Sequence, residues 1–232
     1  MPKDSSPDAV VRARQPSRRT RDSERTQASI LAAATAEFAR HGLTGARVDR
    51  IAAAAGANKR MLYYYFASKD GLFLAVLEQT YARIRAAETA LSLLDVPPEE
   101  GVRRLVRFTW AYYLAHPEFL TLLNNENLHG AVHLRRSRHV QAMNSPLIRT
   151  LRQVLDTGAA SGAFRTGVDA LQLYISIAAL SYFYIGNHHT LSAVFGRDLA
   201  TARARRERLA HMTEVILGYL RPVDAHASRA NN

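Results

Sequence analysis

Cysteine is absent from the 232 residues, which excludes a disulfide framework and any thiolate metal site and suits a reducing cytoplasm. No stretch approaches the roughly 18 apolar residues of a membrane span, and the N-terminus lacks the apolar segment of a signal peptide, so no membrane partner is expected. Familiar catalytic signatures are missing too: no Gly-rich phosphate loop, no Gly-x-Ser-x-Gly elbow, and no His/Ser/Asp set whose proximity can be argued. Neither enzymatic activity nor a cofactor is expected. Acidic residues are scarce beside basic ones, 20 against 31, leaving a net charge of +11. A surplus of that size fits nucleic acid or an anionic surface.

What the chain does have is apolar periodicity and a front-loaded charge. At 47% hydrophobic it can bury a sizeable core, in one large or two small domains. Residues 1–70 hold 13 of the basic and 7 of the acidic side chains. The pattern is helical throughout, with no convincing strand or repeat, and the fold class expected is all-α with about nine helices.

The informative stretch runs from Gly42 to Asp70. Between Arg47 and Ala55, the residues Val48, Ile51, Ala52 and Ala55 have the i, i+3, i+4, i+7 spacing of a short helix with one buried face. Gly56 tolerates positive φ, so Ala55-Gly56-Ala57-Asn58 can turn a tight corner, with Asn58 capping the next helix. In that helix, Lys59 to Tyr65, the pair Leu62 and Phe66 anchors inward while Lys59, Arg60, Met61, Tyr63, Tyr64 and Tyr65 crowd the outer face and end. Cations and phenols at this density suit phosphates and guanine edges. Ser68-Lys69-Asp70 then starts a third helix whose free N–H groups favour an anion, for which a DNA phosphate is the natural occupant.

These residues resemble the DNA-binding domain of the TetR family of bacterial transcriptional repressors. Gly42-Leu43, Ile51-Ala52, Ala55-Gly56, Leu62-Tyr63, Phe66 and Ser68-Lys69-Asp70 with Leu72 fall in the family's order. One departure is Ala46-Arg47, where the family usually has Thr or Ser; Arg47 is expected to supply a charged contact and Thr44 to take over capping. The DNA-contacting set implied is Thr44, Arg47, Arg50, Asn58, Lys59, Arg60, Met61, Tyr63, Tyr64, Tyr65 and Lys69. The resemblance implies a ligand-released repressor, a homodimer on a palindromic operator in double-stranded DNA.

Around this reader the chain divides as follows. Residues 1–24, with Arg12, Arg14, Arg18, Arg19 and Arg21, form a disordered basic arm that either enters a minor groove or is merely solvated. The helix-turn-helix domain is placed at 25–70, with Ile30, Ala34 and Phe38 on one stripe of a helix from Arg25 to His41 and Gly42 closing it. A ligand-binding and dimerisation domain covers 71–221 and a disordered tail 222–232. A helix from Ser68 to about Leu94 connects reader and sensor. Later helices span Pro98 to His116, Glu118 to Leu123, Asn144 to Ala160, about 169–187 and about 198–220, separated by a polar stretch from Asn124 to Pro146 without clear pattern.

A single recognition helix reads few base pairs, so two copies about 34–36 Å apart or a multiple are expected. The helices near 169–187 and 198–220 are the surface for this, since the first is apolar almost all round. For a small-molecule effector of unknown identity, aromatic walls with a few polar groups point to Trp110, Tyr113, Asn124, Asn127 and Tyr182, any of which can equally be core. The C-terminal half also resembles the pyrimidine-utilisation regulators of the family, without residues that carry a ligand across. His129 and His133, and His188-His189, are read as exposed loop histidines rather than metal ligands. The alternative to a repressor is a ligand-independent DNA-binding or architectural protein, which would bind random duplex as well as any operator.

Overall fold

The computed structural model describes residues 18–222. Among them nine α-helices and one 3-10 turn carry all the regular structure, and no strand occurs. Helix α1 spans Arg18–Gly45, α2 Val48–Ala54 and α3 Lys59–Phe66. The basic arm expected over 1–24 lies outside the described residues up to 17, and from Arg18 onward the chain is already helical. Gly42 (φ 65°) breaks the helical path inside α1. The chain therefore turns where the stripe of Ile30, Ala34 and Phe38 ends, as the glycine foreshadows.

These helices close on the first two turns of α4 (Lys69–Thr89). Ile30, Phe38, Ile51, Leu62, Phe66, Leu72, Phe73 and Leu77 form one core, and Leu122 from α6 completes it. A boundary at residue 70 would thus cut the reader's own core, which takes its last wall from α4. Fully burying each of these side chains contributes about 1.5–3 kcal/mol, enough to hold a helix as short as α3.

Helix α4 stops at Thr89, short of the Leu94 expected. Ser92 takes positive φ (48°) beyond it, and Leu93 turns back into the C-terminal core. Helix α5 (Pro98–Ala115) has Pro98 in its first turn, where the missing N–H costs nothing. Helix α6 (Pro117–Leu128) runs past Leu123, so Asn124, Asn125 and Asn127 are helical rather than loop. After the 3-10 turn Leu134–Arg136, α7 spans Arg138–Ala160. It begins well before Asn144, with Ser137 accepting the Val140 N–H at 3.1 Å as its cap, and Pro146 sits inside it.

Helix α8 (Ala170–Phe195) is capped by Asp169, whose carboxylate accepts the Gln172 N–H at 2.7 Å. It continues through Gly186 and Asn187 and ends only at Gly196 (φ 63°), a left-handed position that glycine fills without strain. Helix α9 (Ala202–Leu220) starts at the Thr201 cap rather than at Asp198. Helices α5, α7, α8 and α9 bury a second core of Leu105, Trp110, Leu151, Leu173, Ile177, Met212 and Ile216. Of the tail expected over 222–232, residues 223–232 lie outside the described ones.

Candidate nucleic-acid interface

The recognition helix α3 is fixed at both ends by polar geometry. Asn58 accepts the Met61 N–H at 2.9 Å through Oδ1, the cap its residue type supplies. At the other end Ala67 (φ 62°, ψ −42°) centres a γ-turn in which the Ser68 N–H donates to the Phe66 carbonyl at 2.7 Å. That conformation is rare and strained in an L-residue. Ser68 then caps α4 by accepting the Gly71 N–H at 2.9 Å. The Phe66 carbonyl sits where a Cβ on Gly71 would be, 2.2 Å away, so this glycine lets the end of α3 lie against the start of α4.

Anchored by Leu62 and Phe66, α3 turns Tyr63 and above all Tyr64, 82% exposed, outward with Lys59 and Arg60. Two residues of the expected outer face are placed otherwise. Tyr65 is half-buried, its hydroxyl 3.0 Å from the Ser23 hydroxyl on α1, and Met61 packs partly against the reader core. Both are tied to the domain as well as lying near its surface.

Two of the cations around α3 pair with acids on α1 and α2. Lys59 Nζ lies 3.0 Å from Asp49 on α2, and that pairing raises its pKa. Arg50 pairs with Glu37 (2.6 Å) and donates to the Gly45 carbonyl (3.1 Å). Glu37 also accepts the Arg47 backbone N–H at 2.9 Å. Thr44 therefore does not cap α2; a carboxylate from α1 serves its N-terminus, and Thr44 instead presents its carbonyl to Lys69 Nζ at 3.2 Å. Burial pushes the Glu37 carboxyl up, but the Arg47 N–H and the Arg50 guanidinium outweigh it and hold the pKa below the usual value. The side chains of Arg47 and Arg60 have no such partner among the described residues.

Helix α6 joins the reader to the rest. Asn125 Oδ1 accepts the Leu43 N–H at 3.2 Å and lies 2.6 Å from where a Cβ on Gly42 would stand. Its neighbour Glu126, 1% exposed, accepts the backbone N–H groups of His133 (2.8 Å) and Leu134 (2.9 Å) and approaches His133 Nδ1 at 2.7 Å. His133 is thus a buried residue rather than an exposed loop histidine, set edge-on to Phe73. Among the described residues no group of three or more His, Cys, Asp or Glu is placed to hold a metal.

Between α4, α5, α6, α7 and α8 lies a cavity of about 380 Å³ walled by Tyr81, Tyr113, Phe119 and Tyr174, with Arg85 on its side. A second, of about 460 Å³, opens on the other side of Arg85 and is bordered by Glu88, Leu93, Met143 and Leu147. Of the expected effector residues only Tyr113 lines either of these two cavities. Trp110 is core, tilted against Tyr184 at 5.6 Å. Asn124 accepts the Tyr182 hydroxyl proton at 2.5 Å, satisfying both near the surface, and Asn127 is exposed at the end of α6. Tyr81 and Arg85, four apart on α4, were legible as one face of a helix but not as a cavity wall.

A capped, outward-facing second helix on a three-helix core, joined to a helical bundle, defines a protein of the helix-turn-helix class. The comparisons with known proteins agree. Residues 30–76 match the model of bacterial regulatory proteins of the tetR family, and residues 98–216 match the tetracyclin repressor-like C-terminal domain. The chain belongs to the TetR family of transcriptional regulators. It is 41% identical to the HTH-type transcriptional repressor NicS of Pseudomonas putida over 88% of this chain and 96% of that one. It is 38% identical to the repressor SCO4008 of Streptomyces coelicolor over 68% and 79%. With the HTH-type transcriptional regulator RutR of Escherichia coli it shares 26% over 88% and 95%. The crystal structure of SCO4942 from Streptomyces coelicolor matches with a TM-score of 0.63 at 26% identity, covering 85% of this chain and 99% of that one.

Proposed function

We propose that the protein is a homodimeric repressor that holds a palindromic operator when empty and releases it when a small molecule enters each C-terminal domain. The observation that carries this reading is the exposed face of α3, with Tyr63, Tyr64, Lys59 and Arg60 beside Arg47, on a helix whose two inward anchors are buried. Aromatic and cationic side chains so placed can reach base edges and phosphates together. Asp49 pairs with Lys59 and Glu37 with Arg50, which ties both cations to the domain. On this reading Lys69 joins the phosphate contacts from the start of α4, where Asp70 shares the first turn.

Pairing is supported by apolar side chains left uncovered on α8 and α9. Leu171, Ile175, Phe183, Val215 and Tyr219 are each more than 40% exposed. Surfaces of this kind on elements that also carry a core are met by a partner rather than by water. The reader is the N-terminal domain with the start of α4, and α5 to α9 are the sensor and dimer unit. An architectural DNA-binding protein has no use for aromatic cavities beside a buried arginine. No described helix is long and apolar enough to cross a membrane.

The test is a competition experiment on full-length protein with its upstream DNA as probe. A repressor should prefer one inverted repeat to random duplex by about a thousandfold or more. Equal competition by random duplex would refute the reading, as would a monomer by light scattering on the bound complex.

A further inference from the structure

The two cavities meet at one side chain. Arg85 is 8% exposed, and its guanidinium is divided among neighbours on both sides. Nη1 lies 2.8 Å from Glu88 Oε2, and Nη2 donates to the Tyr174 hydroxyl at 2.7 Å. Its Nε is buried with no acceptor, and the Glu88 oxygens lack well-directed donors. A buried guanidinium N–H without an acceptor is costly, and structures keep such groups where a ligand or water completes them.

The larger aromatic wall decides what that ligand is. Of the ten residues lining the 380 Å³ cavity, Arg85 is the only one that carries a charge at neutral pH, and no acid lines it. Its other polar groups are the hydroxyls of Tyr81, Tyr113 and Tyr174, all held protonated because burial pushes each phenol above its ordinary value. The Tyr174 oxygen already accepts from Arg85, which leaves its own proton to give. The site is therefore rich in donors and poor in acceptors. Tyr113 stacks on Phe119 with ring centroids 5.7 Å apart, and Tyr81 meets Phe119 edge-on at 5.9 Å, so the three make a continuous aromatic wall against which a flat ring can lie. Glu88 lies beyond Arg85, lining the other cavity, and burial pushes its carboxyl up to about 7 against the pull of Arg85. It is a partial counter-ion at neutral pH, and a second carboxylate on the aromatic side meets a guanidinium not fully neutralised.

Resting on the effector reading above, we propose that the effector is a small planar aromatic carboxylate, its ring against the wall of Tyr81, Tyr113 and Phe119 and its carboxylate on Arg85 and the Tyr174 hydroxyl. Guanidinium and carboxylate match as donors to acceptors, and such a charge-assisted bond is stronger than one between neutral groups.

The experiment is calorimetric titration of the full-length protein with benzoate, phenylacetate and 2-naphthoate, each beside its neutral amide. The carboxylates are expected to bind about ten- to a hundredfold more tightly than the amides. Arg85→Met should abolish the difference. Because that variant strands Glu88 and can fail to fold, Arg85→Met with Glu88→Leu is made as well, since replacing both members of a buried pair by apolar groups is tolerated. Amides binding as well as acids, none of the acids binding, or the double variant discriminating as wild type does would each overturn the proposal. Operator release is scored separately by gel shift. Carboxylates that bind without releasing DNA would leave the site standing and sink the ligand-released repressor.

Discussion

Glu126→Ala should be among the most damaging single truncations in the chain, though no apolar volume of note is lost. Glu126 is 1% exposed and gathers three donors: the N–H of His133 at 2.8 Å and of Leu134 at 2.9 Å on Oε1, and the His133 ring at 2.7 Å from Oε2. Truncation leaves those donors facing a small void. Each unsatisfied buried donor costs about 1–3 kcal/mol, and partial entry of water offsets some of it, so a loss of about 3–5 kcal/mol is expected. Against a total stability of about 5–15 kcal/mol this is a large share. At about 2–4 °C per kcal/mol for a chain of this size, the melting midpoint should fall by about 6–20 °C. Glu126→Gln separates hydrogen bonding from bulk: its carbonyl can take both backbone N–H groups, while its amide must find an acceptor in the imidazole, so a loss of about 1 kcal/mol is expected. Urea unfolding followed by the fluorescence of Trp110, at one protein concentration because the stability of the proposed dimer would depend on it, measures both. An alanine variant within about 1 kcal/mol of wild type, or a glutamine variant as poor as alanine, would refute the reasoning.

Four further outcomes follow from the same coordinates. Burial raises Glu88 from 4.5 to about 7; the native state holds the extra proton between those values, so its contribution to stability is fully present below pH 4.5 and about 3 kcal/mol is lost as pH rises through 7. Urea midpoints at pH 5 and pH 8 should accordingly differ less for Glu88→Gln than for wild type, and equal differences would count against the burial argument. Lys69→Ala should weaken binding to every duplex and lower the salt slope by about one unit, whereas Arg60→Ala should relax preference at particular bases; footprinting and salt titration distinguish them. Phe183→Glu, on the exposed apolar face of α8, should shift the protein toward monomer in light scattering without unfolding it. Ala67→Gly should raise stability by about 1 kcal/mol by relieving the positive φ of the γ-turn, read from the unfolding midpoint.

The reader was legible because its signals are local. Val48, Ile51 and Ala55 set a helical period, Gly56 and Asn58 mark the corner and cap, and Leu62 with Phe66 anchor the second helix, each within a few residues of the next. The segment between Asn124 and Pro146 was opaque for the opposite reason. Its order comes from polar partners distant in sequence: Glu126 holds the turn at His133 and Leu134, and the Ser137 hydroxyl donates to Glu78 on α4 at 2.6 Å. A buried carboxylate leaves no apolar period to read. By residue type alone the sequence points to Trp110, Asn124 and Tyr182 for an effector, none of which lines the aromatic cavity. The aromatic cavity draws on Tyr81, Phe119 and Tyr174, which a stripe pattern cannot tell from core.

Two helices leave the wall of that cavity and end on the reader, and their attachments differ. Helix α4 carries Tyr81 and Arg85 toward one end and, about 15–21 Å away along its axis, meets the end of α3 at the γ-turn and Gly71. Helix α6 carries Phe119 and Leu123 and meets α1 where Asn125 holds the Leu43 N–H beside Gly42. An occupant that presses unequally on the two walls moves these attachments by different amounts. A packed three-helix core does not stretch to absorb the difference, so it turns. In the proposed homodimer, rotation about a point near the reader would change the separation of the two α3 helices, and a coupling of about 1–3 kcal/mol is enough to change operator affinity about five- to 150-fold. The device needs no hinge residue in either helix: continuity of α4 and α6, with the close seats at Gly71 and Gly42 that admit no side chain, is the mechanical requirement.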